Sequence, residues 1–286
     1  MTFSVAAWDR ETGDLGAAVA SKFLAVGAVV PWVEAGVGAI ATQAHANLAY
    51  GRDGLELLRG GAPAQAAVDA LTAADDGRAM RQLGLVDATG RAVTYSGDEC
   101  PDWAGGIVVD GAAIQGNILT GPEVVEAMAL AWREHEGAEF PDRLLRVLLE
   151  GDRAGGDRRG RQSAAILVKR AGAGYGGVTD QLVDLRVEDH EDPCAELLRL
   201  YAIQERLFGS TPAEQWTTVD AALAERIRGA LRAQGSDVAA AGSWDAALDD
   251  ALKDWVGNEN LEMRWWGGDR IDPVVLEHLL AQRSGA

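Results

Sequence analysis

Two strand-like runs, Phe3 to Trp8 and Leu15 to Ser21, flank Asp9-Arg10-Glu11-Thr12-Gly13-Asp14, a segment built from the residues that turns require. This hairpin constrains the fold more than any other feature. Leu15 to Ser21 is the returning strand, with small residues between Leu15 and Val19. If Trp8 pairs with Leu15, antiparallel register puts Thr2 opposite Ser21, with Lys22 beside it.

The pattern repeats. Val26 to Val33 and Val37 to Gln43 read as a second hairpin across Glu34-Ala35-Gly36. Gln82 to Val86 and Arg91 to Tyr95 flank Asp87-Ala88-Thr89-Gly90, and Gly106 to Val109 and Ala112 to Gln115 flank Asp110-Gly111, a strong hairpin signal. Helices come in pairs between the hairpins: Gly51 to Arg59 with Pro63 to Ala73, then Pro122 to Glu136 with Pro141 to Glu150. Strands Ser163 to Lys169 and Gln181 to Val187 and a helix from Pro193 to Phe208 follow. Antiparallel hairpins covered by paired helices predict an α+β chain with a layered helix–sheet–sheet–helix sandwich.

Gly209-Ser210-Thr211-Pro212 reads as a linker, dividing the chain into residues 1–208 and 209–286. The second part is expected to be small and helical, with helices from Val219 to Gln234, Ser243 to Val256 and Pro273 to Gln282, and Ser243 as an N-cap. It carries five of the nine tryptophans, Trp216, Trp244, Trp255, Trp265 and Trp266, which are most simply its core.

A net charge of −18 disfavours nucleic acid and anionic membrane surfaces as partners, because phosphate binding needs a basic surface. Cys100 and Cys194 form neither a disulfide framework nor a zinc spacing, and none of the four histidines has a ligand spacing. The segment from Asp184 to Asp192 is dense in carboxylates but lacks the EF-hand spacing, so it reads as a charged strand-to-helix junction. No metal or cofactor is expected. With no signal-peptide pattern and no apolar run of 18 residues, a cytoplasmic address is expected.

The candidate chemistry starts at Thr2. If Met1 is removed, Thr2 carries a hydroxyl nucleophile and its own base, the α-amine, on one residue. An unperturbed α-amine titrates at about 7.7–8.0, so a useful fraction is neutral at working pH. Lys22, expected nearby, would depress that amine by like-charge repulsion and would help hold an oxyanion. Gln115-Gly116-Asn117 ends a strand, and Asn117 is a candidate oxyanion donor. A second polar strand end, Thr42-Gln43-Ala44-His45-Ala46-Asn47, offers Gln43 and Asn47 for substrate, with His45 read as solvated or core. Ser21 joins them through the hairpin register. The loop Gly156-Asp157-Arg158-Arg159-Gly160-Arg161-Gln162-Ser163 offers Asp157, Arg161 and Ser163, and its arginine forks suit a substrate carboxylate.

Six of these stretches carry a family resemblance: Met1 to Ala7, Val19 to Gly27, Ala41 to Ala44, Gln115 to Asn117, Gly160 to Ala165 and Asp184 to Val187. In this order they resemble a bacterial and archaeal family of unknown function placed among the N-terminal-nucleophile (Ntn) hydrolase-like proteins. The resemblance covers about residues 1–208. Asn260-Leu261-Glu262 and Ile271-Asp272-Pro273 resemble the small peptidoglycan-binding-like domain often appended to that family. The resemblance implies a four-layer αββα sandwich and amidohydrolase-type chemistry in which the first mature residue, here Thr2, is the nucleophile. The expected substrate is a small, acidic amide or N-acyl compound. The rival expectation is a non-catalytic protein that uses the same scaffold and binds a glycan or protein partner through its C-terminal domain. An amine acceptor in place of water would make the enzyme a transferase. The flat sandwich faces lead to an expected homodimer or larger homo-oligomer.

Overall fold

The computed structural model describes residues 2–282. The chain divides into two compact units, Met1–Leu200 and Tyr201–Ala286. The first is a mixed α+β structure whose paired strands are all antiparallel.

Its chain runs β1 (Thr2–Trp8), β2 (Leu15–Ser21), β3 (Pro31–Glu34), β4 (Gly38–Ala44), α1 (Ala49–Arg59), α2 (Ala64–Ala73), β5 (Arg81–Asp87) and β6 (Ala92–Ser96). It continues with β7 (Gly105–Val109), β8 (Ala112–Asn117), α3 (Glu123–Glu134), α4 (Phe140–Arg153), β9 (Ser163–Lys169) and β10 (Gln181–Val187), and α5 (Pro193–Phe208) begins in this unit and ends in the second. One sheet has the order β10-β9-β2-β1-β8-β7 and the other β3-β4-β5-β6. The first hairpin has the expected register, with Trp8 opposite Leu15 and Phe3 opposite Ala20. Strand β1 lies between β2 and β8, and Thr2 pairs with Asn117.

The sheets pack face to face, with β1 against β4 and β5 against β8. Helices α3 and α4 pack on the six-stranded sheet, and α1 and α2 on the four-stranded one. Strands β1 and β2 are therefore buried almost throughout, and alternate side chains go to different layers. Phe3 faces α4, where a Cβ on Gly151 would come within 3.3 Å of its ring, whereas Ser4 and Ala6 face the second sheet. The alanines and glycine of β2 make this close stacking feasible. A Cβ on Gly16 would lie 2.8 Å from Leu144.

Two local differences from the sequence pattern have clear causes. Val26 to Val33 is not one strand. It is a 3-10 turn, Val26–Ala28, followed by β3 from Pro31. Ala25 is left-handed (φ 55°), and the chain is pressed so closely on β9 that a Cβ on Gly27 would lie 2.5 Å from Ala165. Pro31 has no N–H and takes the first place of its strand. Helix α1 begins two residues early because the Asn47 side chain accepts a bond from the Ala49 N–H (3.1 Å).

The second unit packs α6 (Ala221–Ala233), α7 (Ala246–Asn258) and α8 (Pro273–Ala281) around one apolar cluster. Their N-caps are Asp220, Asp245 and Asp272, each accepting a backbone N–H. Asp245 replaces the expected Ser243, whose carbonyl accepts from buried Arg228 instead (2.9 Å). The tail is not wholly helical, since β11 (Thr217–Thr218) pairs with β12 (Arg270–Ile271). Trp255 and Trp265 are in the core, with Trp216 and Trp244 packed against it, but Trp266 is 63% exposed. Within this unit, buried Arg264 pairs with Asp272 (3.1 Å) and donates to the carbonyls of Glu205 and Arg206 in the last turns of α5. Among the described residues, no helix is long and apolar enough to cross a membrane.

Candidate active site at one end of the sheets

Polar residues are scarce in the interior of the first unit except at one end. There the strand termini bring together Thr2 (start of β1), Ser21 (end of β2), Asn117 (end of β8) and Ser163 (start of β9). Thr2 is opposite Asn117, and Ser21 is opposite Ser163. The Oγ1 of Thr2 is 3.2 Å from the Oγ of Ser21. On the facing sheet, Gln43 pairs with Gln82 across β4 and β5. All six side chains are buried, Thr2 being 6% exposed.

A continuous set of hydrogen bonds joins the sheets here. Ser4 Oγ donates to Gln43 Oε1 (2.7 Å) and accepts from Gln115 Nε2 (2.7 Å). Gln43 Nε2 and Asn117 Nδ2 donate to Gln82 Oε1 at 2.7 and 2.9 Å. Gln82 Nε2 donates to the Gly116 carbonyl and to Ser96 Oγ, both at 2.7 Å. Gln43 Nε2 also lies 3.3 Å from the carbonyl of Thr2. Buried polar groups are tolerated when so paired. Two atoms stand out as unpaired, Gln115 Oε1 and Asn117 Oδ1.

Strain collects at the same end. Ala25, Ala44 and Ile118 all have positive φ (55°, 66° and 50°): Ala44 is the last residue of β4, Ile118 directly follows β8, and Ala25 lies in the loop after β2. Such a conformation costs about 1–3 kcal/mol in a non-glycine residue and most in a β-branched one. Ile118 is held in it by two backbone bonds, its N–H to Pro101 and its carbonyl from Arg158.

Beside this group lies a charged rim. Asp157, 7% exposed, accepts the backbone N–H groups of Lys22 (2.7 Å) and Arg159 (2.8 Å). The Lys22 ammonium donates to the Arg161 carbonyl (3.0 Å), and Arg161 Nε donates to Asp152 (2.8 Å). Ser163 Oγ accepts from the Val26 N–H and donates to the Phe23 carbonyl. Asp157 and Ser163 thus brace the Lys22–Val26 loop from within. Lys22 and Arg158, which flank Asp157 in this loop cluster, form no ion pair among the described residues, whereas Arg159 and Arg161 pair with Asp157 and Asp152. A cavity of about 530 Å³ lies against Asp152, Asp157, Arg161 and Glu191.

The structure therefore brings Thr2, Ser21, Gln43 and Asn117 together and sets Lys22, Asp157, Arg161 and Ser163 around the adjoining loop. Asn47 stands apart. Its side chain caps α1 and donates to Asp75 (3.1 Å). Arg81 also bonds Asp75 (2.9 Å), and it holds the Asp75 carboxyl well below the usual carboxylate range. Arg81 also takes the carbonyl of His45, so that histidine's contribution here is its backbone. Ser4, Gln82 and Gln115 were not expected at the site. The available signal was an amide in each of two otherwise apolar strands. Among the described residues, no group of three or more His, Cys, Asp or Glu is arranged to hold a metal ion.

Two family models match the chain. A family model described as "Family of unknown function (DUF1028)" matches residues 2–197, and one described as "Putative peptidoglycan binding domain" matches residues 211–279. Among solved structures, protein SPO2555 from Silicibacter pomeroyi, itself assigned to DUF1028, is similar, at 33% identity and a TM-score of 0.65. The similarity covers 71% of this chain and 86% of that one. No curated protein matches the chain.

Proposed function

The chain belongs to the DUF1028 family of unknown function, and on that premise we propose that it is an amide hydrolase of the Ntn type, with Thr2 as nucleophile after loss of Met1. The observation that carries the reading is the position of Thr2. It opens a central strand, turns its hydroxyl to within 3.2 Å of Ser21 Oγ, and lies among the strained strand ends. Helices on the outer faces of two stacked sheets agree with the αββα sandwich that this chemistry uses.

In the proposed reaction Thr2 Oγ1 attacks the amide carbonyl, and its α-amine takes the hydroxyl proton. The C–N bond then breaks, and the amine returns the proton to the leaving nitrogen. Water, deprotonated by the same amine, attacks the ester; the bond from the acyl carbon to Thr2 Oγ1 breaks, the amine returns that proton to Oγ1, and the acid is released. The Ser21 hydroxyl, 3.2 Å from Thr2 Oγ1, and the Lys22 ammonium serve in this reading as donors to the oxyanion. The cationic side chains of Lys22 and Arg158, on the loops beside Thr2, lead us to favour a substrate bearing a carboxylate. Phe23 and Leu24, 52% and 59% exposed, follow Lys22 directly and make that loop the natural point of entry to a threonine that is only 6% exposed.

The test is a screen of N-acyl amino acids and related amides with Met1-free protein, followed by mass spectrometry for an adduct on Thr2. Thr2→Ala should lower turnover at least ~10³-fold with the fold intact, and Thr2→Ser should keep part of it. Full activity in Thr2→Ala would end the proposal.

The burial of Thr2 and the exposure of Trp266 favour a second reading, a binding protein that acts through its C-terminal unit. It predicts retained Met1, no adduct, and glycan or partner binding that is lost in Trp266→Ala.

A further inference from the structure

The buried amides have a fixed polarity. Gln82 Nε2 donates to a backbone carbonyl, Gly116 O, so its Oε1 must be the acceptor. That acceptor takes Gln43 Nε2 and Asn117 Nδ2, which leaves Gln43 Oε1 to receive the Ser4 hydroxyl. Turning any one amide over would set donor against donor or acceptor against acceptor. Asn117 is therefore fixed with its nitrogen toward Gln82 and its oxygen on the other arm.

That oxygen is fully buried and receives no donor. The other unpartnered oxygen of the network is accounted for by sterics. Gln115 Oε1 rests against the Cα of Gly84, where a Cβ would lie only 2.0 Å from it. Asn117 Oδ1 is the buried oxygen of the network left to explain. The residue directly across the ladder from it is Thr2, and directly opposed residues hold their Cβ atoms about 4.5–5.5 Å apart, within reach of an amide side chain.

We propose that Asn117 Oδ1 is the acceptor for the α-amine of Thr2 in the Met1-free protein, which makes Asn117 a positioning residue for the catalytic base. This rests on the Ntn reading of Thr2, and it inverts the role expected from sequence, in which Asn117 was an oxyanion donor. Loss of Met1 converts an amide N–H into an amine with two or three hydrogens. One of them on Asn117 Oδ1 fixes the rotation about the N–Cα bond and leaves the lone pair of the neutral amine for the Thr2 hydroxyl. A neutral acceptor also binds the ammonium more strongly than the amine, so its removal lowers the amine's titration midpoint.

The experiment uses full-length protein labelled with 13C-threonine. Intact mass establishes whether Met1 is gone, and the Thr2 Cα and Cβ shifts report the amine's titration. Asn117→Ala should lower the midpoint by about half a unit to one unit. Gln115→Met, which breaks the same network without touching Asn117 Oδ1, should move it by less than about 0.2 unit. A crystal structure of the Met1-free wild type answers the same question without a variant. A Thr2 N to Asn117 Oδ1 distance below about 3.2 Å supports the assignment, and one above about 4 Å overturns it. Retained Met1 overturns both the assignment and the reading it rests on. Absence of Met1 with an unmoved midpoint in Asn117→Ala overturns the assignment alone.

Discussion

The two ends of the β1–β2 hairpin are built on opposite principles. At the turn end, every demanding feature is met. Asp14 is fully buried, and the Arg170 fork holds both of its carboxylate oxygens at 2.7 Å. Asp9 accepts the N–H and hydroxyl of Thr12, and the residue with positive φ is a glycine, Gly13. At the open end, the left-handed residues are alanine and isoleucine, and buried oxygens lack donors. The same two strands pass through both. The turn end is arranged for stability, and the open end carries features that cost stability and are retained, which is the usual signature of a site.

The comparison predicts its own failures. The largest expected effect is at the turn end. Asp14→Ala removes a buried carboxylate and leaves Arg170, 40% exposed, to find water. A loss of about 2 kcal/mol is expected, at the low end for a broken buried pair because the arginine is partly solvated. Denaturant midpoints check it, and turnover per folded molecule should be unchanged. Next is Gly84→Ala at the open end. Its Cβ would displace Gln115 Oε1, at a cost of about 1–3 kcal/mol. If Gln115 is the obstacle, Gly84→Ala with Gln115→Ala should recover part of the loss in a double-mutant cycle.

How much of this was legible follows from sequence distance. The first hairpin could be read to the residue because a six-residue turn of Asp, Thr and Gly pins its register, and with it the meeting of Thr2 and Ser21. Strands β9 and β10 and helix α5 were also found to the residue, since each is bounded by loop or helix-start signals. The Gln43–Gln82 pair was not legible, because it joins β4 to β5 across two helices, and nothing local marks either amide as a partner. Nor was the commitment of Asn47 to Asp75, which requires knowing that α1 and α2 fold back on one another. The break at Ala25 is set by contact with Ala165 on β9, far along the chain.

Acid tests the Asp75 cluster that stands apart from the site. Arg81 keeps the Asp75 carboxyl depressed in the folded protein, against the opposing effect of burial, with Asn47 and the Gly77 N–H assisting. A depressed folded-state pKa stabilises the fold above the unfolded value, about 3.9, and that contribution fades as pH falls through the folded value. Melting temperatures taken from pH 6 to pH 3 should therefore fall less steeply in Asp75→Asn than in the wild type. An identical slope would remove Asp75 from the account.

The smallest effect is the most discriminating. Ile118→Gly relieves a positive φ of 50° and gives up a half-buried side chain, so opposing terms of about 1 kcal/mol nearly cancel and stability should hardly change. If the strain only closes a loop, turnover should be as insensitive as stability. If it sets the position of the preceding Asn117, and through it Thr2, turnover should fall several-fold while the melting temperature holds. That split between activity and stability would show that the open end keeps its strain to hold geometry. Its absence would reduce Ile118 to a loop residue tolerated by its two backbone bonds.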